Sequence, residues 1–169
     1  VAAPILRSLT RSIVYATRED RIPEFRHYPK ALARWPAPAQ AARPDDLVGL
    51  SVNQTLERAL TLPGDDEAKY KLLLEASAIA MLRFDTSVDC HTDKPASHNV
   101  RWLDFTHALT FGHAARELCT EDPALWPQAL LQMACFLGRN TPFITDEADA
   151  SWAVADAPSF FAREHEELY

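Results

Sequence analysis

Apolar residues recur along this chain at the three- and four-residue intervals of helices, and no stretch of useful length alternates with the two-residue period of a strand. From Ile5 to about Arg18, the residues Ile5, Leu6, Leu9, Ile13, Val14 and Ala16 keep near-helical spacing while Arg7, Arg11 and Arg18 fall on the other side, which predicts an amphipathic first helix. The segment "RIPEFRHYPKALARW" is interrupted by Pro23 and Pro29 and reads as a bent connection with a short second helix ending near Trp35. "PAPAQAARP", about residues 36–44, follows as a Pro/Ala-rich linker that favours extended conformations.

In "DDLVGLSVNQTLERAL", Asp45 or Asp46 is the expected N-cap of a third helix, stopped by Pro63 and Gly64. "DDEAKYKLLLEASAIAMLRF" then places acids where a helix dipole prefers them and is apolar nearly all round from Leu72 to Leu82, the pattern of a central buried helix. A polar loop, "DTSVDCHTDKPASHN", leads to a helix from roughly Val100 to Cys119. Asp122 caps the next one, with Pro123 at its first position and Gly138 as its stop, and a short helix closes the tail through "SFFAREHEELY". The fold class is therefore all-α: a single-domain helical bundle of about five to seven helices, without significant β-sheet, over residues 1–169.

Composition sharpens this. Twelve prolines against four glycines suit helices joined by proline-marked turns, and 47 % hydrophobic with 24 % charged residues is the mix of a folded soluble chain. The net charge of −7, with Lys and Arg scattered, argues against nucleic acid or an anionic membrane as partner and leaves small molecules, proteins or further copies of the chain. Three cysteines, Cys90, Cys119 and Cys135, cannot pair completely and include no C-x-x-C, which points to a reducing, cytoplasmic setting. No apolar run reaches the ~20 residues of a membrane span. The opening "VAAPILRSLT", without methionine, belongs either to a processed chain or to a piece of a longer one.

Candidate chemistry concentrates in "WLDFTHALTFGHAARELC", Trp102 to Cys119. At ~100° per residue, Leu103, His107, Thr110, Phe111, Ala114 and Leu118 share one stripe, which puts His107 toward the core. A buried imidazole needs partners for both ring nitrogens, and Asp104 one turn before and Thr110 one turn after are placed to supply them. Asp104-x-x-His107-x-x-Thr110 would then orient His107 as a base or a transition-metal ligand, or would simply form a self-contained core network. His113 lies ~120° round from His107 and faces the flank. The 85–98 loop offers His91 and His98 as further metal ligands beside His107, but without the paired spacings of a zinc site. No G-x-S-x-G, phosphate-cradling glycine loop or H-E-x-x-H is present.

The runs "LEASAIAMLRFDTS", "WLDFTHALTFGHAA" and "ALWPQALLQMACFLGRN" together resemble the C-terminal part of a helical domain found in some bacterial proteins of Rieske two-iron, two-sulfur type. The matching positions are Arg83, Phe84, Thr86 and Ser87, then His107, Thr110, Phe111 and Ala114, within about residues 72–140. Where that family has asparagine before the last alanine, this chain has His113. The resemblance implies a helical domain that accompanies a redox module, with His107 as its best-supported polar residue. The cluster itself needs C-x-H and C-x-x-H pairs, and none of the three cysteines begins one.

Two functions follow from these observations. One is a domain of an oxidoreductase system with a polar or metal site on His107, Asp104 and Thr110. The other is a non-catalytic interaction or scaffold subunit whose docking surfaces are the linker and the aromatic tail (Trp152, Phe160, Phe161, Tyr169).

Overall fold

The computed structural model describes residues 2–15, 25–85, 87 and 102–145. Six α-helices run through them: α1 (Ala2–Tyr15), α2 (Tyr28–Leu32), α3 (Val52–Leu60), α4 (Asp66–Leu82), α5 (Trp102–Glu121) and α6 (Trp126–Asn140). Among these residues the fold is all-α, and the one β-type pairing is an isolated antiparallel bridge between Phe84 and Ile144. That bridge ties the end of α4 to the chain leaving α6, through Asp85 N–H to the Phe143 carbonyl and Thr145 N–H to the Arg83 carbonyl.

The helix at the centre is α6, not α4 as the sequence suggested. α6 packs against α2, α3, α4 and α5, and ten of its residues are buried, from Trp126 to Asn140. α4 keeps Lys71, Glu75 and Leu82 in solvent and buries only the stripe Tyr70, Leu73, Ala76, Ser77 and Ala80. Its many leucines had hidden that stripe. Phe25 and Phe111 both pack against Phe136, with ring centroids 5.7 and 5.3 Å away, and Phe84 lies 5.0 Å from Phe105. Trp126 lies tilted against Tyr70, with ring centroids 6.1 Å apart.

Helix ends follow local chemistry, with some reassignments. Asp65 accepts from the Ala68 amide and opens α4, with Asp66 and Glu67 in the first turn. α3 is capped by Ser51 rather than by Asp45 or Asp46, which sit in a 3₁₀ turn over Pro44–Leu47. Asp122 caps another 3₁₀ turn, Pro123–Leu125, and α6 proper starts at Trp126. Gly138 does not stop α6, which continues to Asn140. The reason is spatial: a Cβ at 138 would lie 2.5 Å from Val52 Cα, so glycine is what lets the start of α3 rest on α6.

The Pro/Ala stretch folds back on α3. Ala37 N–H and Gln40 N–H donate to the carbonyls of Leu60 and Thr61, and Arg58 reaches the Ala41 carbonyl at 2.7 Å. The stretch thereby satisfies carbonyls that the end of α3 leaves open. In α1, Ile5, Leu6, Leu9 and Val14 are exposed. No helix of the described residues is long and apolar enough to cross a membrane.

Candidate functional site

α5 carries the residues singled out by sequence, and its rotation decides their fate. The buried stripe is Phe105, Ala108, Gly112, Ala115 and Cys119, so of the expected stripe Leu103, His107, Thr110, Ala114 and Leu118 point the other way, into solvent, while Phe111 at its edge is half-buried against Phe136. His107 is exposed, which corrects the expectation of a core imidazole. Small residues explain the rotation. Gly112 sits so close to α6 that a Cβ there would lie 3.0 Å from Met133 Cε, and the buried face it shares also carries the small Ala108 and Ala115. Close packing along such a stripe gains more dispersion contact than a face of larger residues held farther away.

The expected hydrogen-bond network does not assemble. Asp104 is half-buried and pairs with Arg139 of α6 at 3.3 Å rather than turning to His107. The Thr110 hydroxyl donates back to the carbonyls of Thr106 and His107 within its own helix. Neither side chain is hydrogen-bonded to the His107 ring among the described residues. His113 is exposed on the flank. His91 and His98 lie outside the described residues, as does Trp152 and the rest of the tail. Among the described residues no three His, Cys, Asp or Glu side chains converge as metal donors. Cys119 and Cys135 are buried thiols, and burial pushes the Cys119 thiol up, with the charges of Asp122 and Asp66 adding to the effect.

A different concavity is built where three distant segments meet. Phe25, Tyr28 and Ala31 are buried and anchor the start of α2, which leaves Arg26 exposed and His27 half-buried beside the beginning of α3. There Gly49, at φ +82°, turns the chain into Ser51. The Ser51 hydroxyl donates to Gln54 Oε1 at 2.7 Å, and the same oxygen accepts from the Ser51 amide at 3.0 Å. The third wall is the end of α6, with Gly138, Arg139, Thr141 and Pro142. The Thr141 hydroxyl donates to the Leu50 carbonyl at 2.7 Å and holds the two walls together.

The resulting cleft has a volume of about 640 Å³, and among the described residues no aspartate or glutamate lines it. It is bordered by Arg26, His27 and Arg139 together with Ser51, Asn53 and Gln54. A second hollow of about 230 Å³ shares His27 and Asn53 with it and adds Lys30, Arg34 and Glu57. Glu57 is fully engaged there, because Arg34 donates to both its oxygens at 2.6 and 2.9 Å. No local pattern in the sequence marks this cleft. "FRHYPK" shows its basic residues, but their partners lie more than twenty and more than a hundred positions away.

Comparison with protein-family models, with curated proteins and with solved structures returns no match for this chain.

Proposed function

We propose that this chain is a non-catalytic docking domain, a helical subunit that presents the outer face of α5 to a partner protein of an oxidoreductase system. The observation that carries this reading is the solvent-facing stripe itself: Leu103 and Leu118 are 62 % and 61 % exposed, with Ala114 between them and Trp102 45 % exposed at the head of the helix. Large apolar side chains aligned on one exposed helix face are costly to leave wet and are the usual material of an interface core. The oxidoreductase association comes from the resemblance between residues 72–140 and the helical domain of Rieske-type proteins. A site centred on His107 is the competing reading, and the exposure of that ring supports docking over internal chemistry.

Photo-cross-linking from position 114 in the source cells, followed by mass spectrometry, tests it. The expected result is one protein adduct, a redox enzyme or its companion subunit, which disappears in a Leu103→Glu/Leu118→Glu variant with unchanged circular dichroism. Absence of any adduct overturns the docking reading. Iron, zinc or manganese near one per chain, lost in His107→Ala, replaces it with a metal site.

A further inference from the structure

We infer that the cleft between the start of α2, the start of α3 and the end of α6 binds a small organic anion bearing phosphate or carboxylate groups. This stands apart from docking through α5.

The electrostatics single the cleft out. The chain carries 24 acidic residues against 17 Lys and Arg, yet among the described residues no acid lines the cleft wall, where Arg139 is paired with Asp104 and the charge of Arg26 is left uncompensated. An excess of one sign in a concave, low-dielectric wall focuses the field and concentrates the opposite charge. The adjoining hollow adds the positive charge of Lys30, because its Arg34 and Glu57 pair with and offset each other.

The donors suit an oxyanion. Arg26 donates through its Nε to His27 Nε2 at 3.2 Å, and among the described residues its two terminal nitrogens remain as a fork for a phosphate or carboxylate. Arg139 is held against Asp104 by one terminal nitrogen at 3.3 Å, so its guanidinium is fixed in place at the opposite wall. Asn53 sits where the two hollows join and offers an amide to the body of the ligand. A volume of about 640 Å³ exceeds what an inorganic ion needs and falls in the range of small-molecule sites. The expected ligand therefore places its acidic group between Arg26 and Arg139 and extends a polar portion past Asn53 toward Lys30.

Isothermal titration of the full chain with pyrophosphate and with citrate, at matched ionic strength, tests this. At least one of the two is expected to bind with about 1:1 stoichiometry, and which one binds assigns phosphate or carboxylate. Arg26→Gln and Asn53→Asp, both at the surface, are each expected to weaken it by about tenfold or more, equivalent to ~1.4 kcal/mol. Arg116→Gln, which removes an arginine that pairs with Glu67 outside the cleft, is expected to leave it unchanged. Failure of both probes to bind at ~10 mM overturns the inference, as does binding that Arg116→Gln weakens as much as Arg26→Gln.

Discussion

Gly138 of α6 and Val52 of α3 meet backbone to backbone: a methyl at position 138 would lie 2.5 Å from the Val52 Cα and 2.7 Å from its nitrogen. The contact sets how closely α3 lies on α6, and both residues also line the basic cleft.

Gly138→Ala is therefore expected to destabilise the protein by about 1–3 kcal/mol, because the obstructing atoms belong to backbone that cannot swing aside. The gain of about 1 kcal/mol in helix propensity offsets only part of the clash. Gly112→Ala is the control. Its nearest neighbour is the flexible end of Met133 at 3.0 Å, so its effect should stay within about 1 kcal/mol of wild type. Urea denaturation of both variants checks the difference. A Gly138→Ala protein as stable as wild type would show that α3 can lift from α6 at little cost.

The rotation of α5 predicts opposite consequences for two residues that are close neighbours in sequence. Phe105 is fully buried against Phe84, and Phe105→Ala should cost about 3–5 kcal/mol. His107 is exposed, and His107→Ala should change stability by no more than about 0.5 kcal/mol. Equilibrium unfolding of the two variants reads the orientation directly. The reverse order would turn the helix by nearly half a revolution and return His107 to the core.

Acid should weaken the fold through identifiable carboxylates. Hydrogen bonds from Arg34 hold Glu57 below the usual range, Ser87 does the same for Asp85, and the Arg43 amide does so for Asp46. Each group prefers its charged form more strongly when folded. Its contribution is therefore complete above the unfolded value, about 4 for such carboxyls, and is lost as pH falls through the lower folded value. Melting temperatures of wild type and Glu57→Gln are expected to differ at pH 7 and to draw together as pH falls below about 4 through the lower folded value of Glu57. Salt should shrink the difference at pH 7, since the pair is half in solvent. A gap that failed to narrow as pH falls below about 4 would assign it to packing instead.

Thiol reactivity follows burial. Cys119 and Cys135 are almost inaccessible, and the Cys119 thiol is pushed up by its surroundings, so neither offers a reactive thiolate. In a Cys90→Ser background, DTNB is expected to titrate no thiol within minutes in the folded protein and both after addition of guanidinium. Rapid native reaction would place at least one of the two at an opening of the core.

Local features were readable without the fold wherever a short-range rule governs them. Acids at the start of α4 and the Pro63-Gly64 break after α3 each depend on neighbours a few residues away and stand where the residues predicted, while Asp122 caps a 3₁₀ turn one step before the helix it was expected to open. The all-α class follows from the same periodicities, since the helical spacings recur from Ile5 to Asn140. Ser51 as the cap of α3 was also written locally, as Ser-x-x-Gln, but two aspartates nearby competed for the assignment.

Only tertiary packing could decide the rest. Leu103, His107, Thr110, Ala114 and Leu118 do share one face of α5, as their spacing requires, but apolar residues are spread all round that helix and spacing cannot choose its inner side. The choice fell to Gly112 and its alanines, because close approach to Met133 and the rest of α6 favours small side chains that count for little in a hydrophobicity pattern. In the same way, Arg26, Asn53 and Arg139 meet only because Gly138 lets α3 rest against α6. The sequence by itself thus determined the all-α class and the caps and breaks set by interactions within one or two turns, such as Asp65 and Pro63-Gly64. The tertiary structure alone decided which faces are buried and which distant side chains form the cleft, through close packing between segments far apart in the chain.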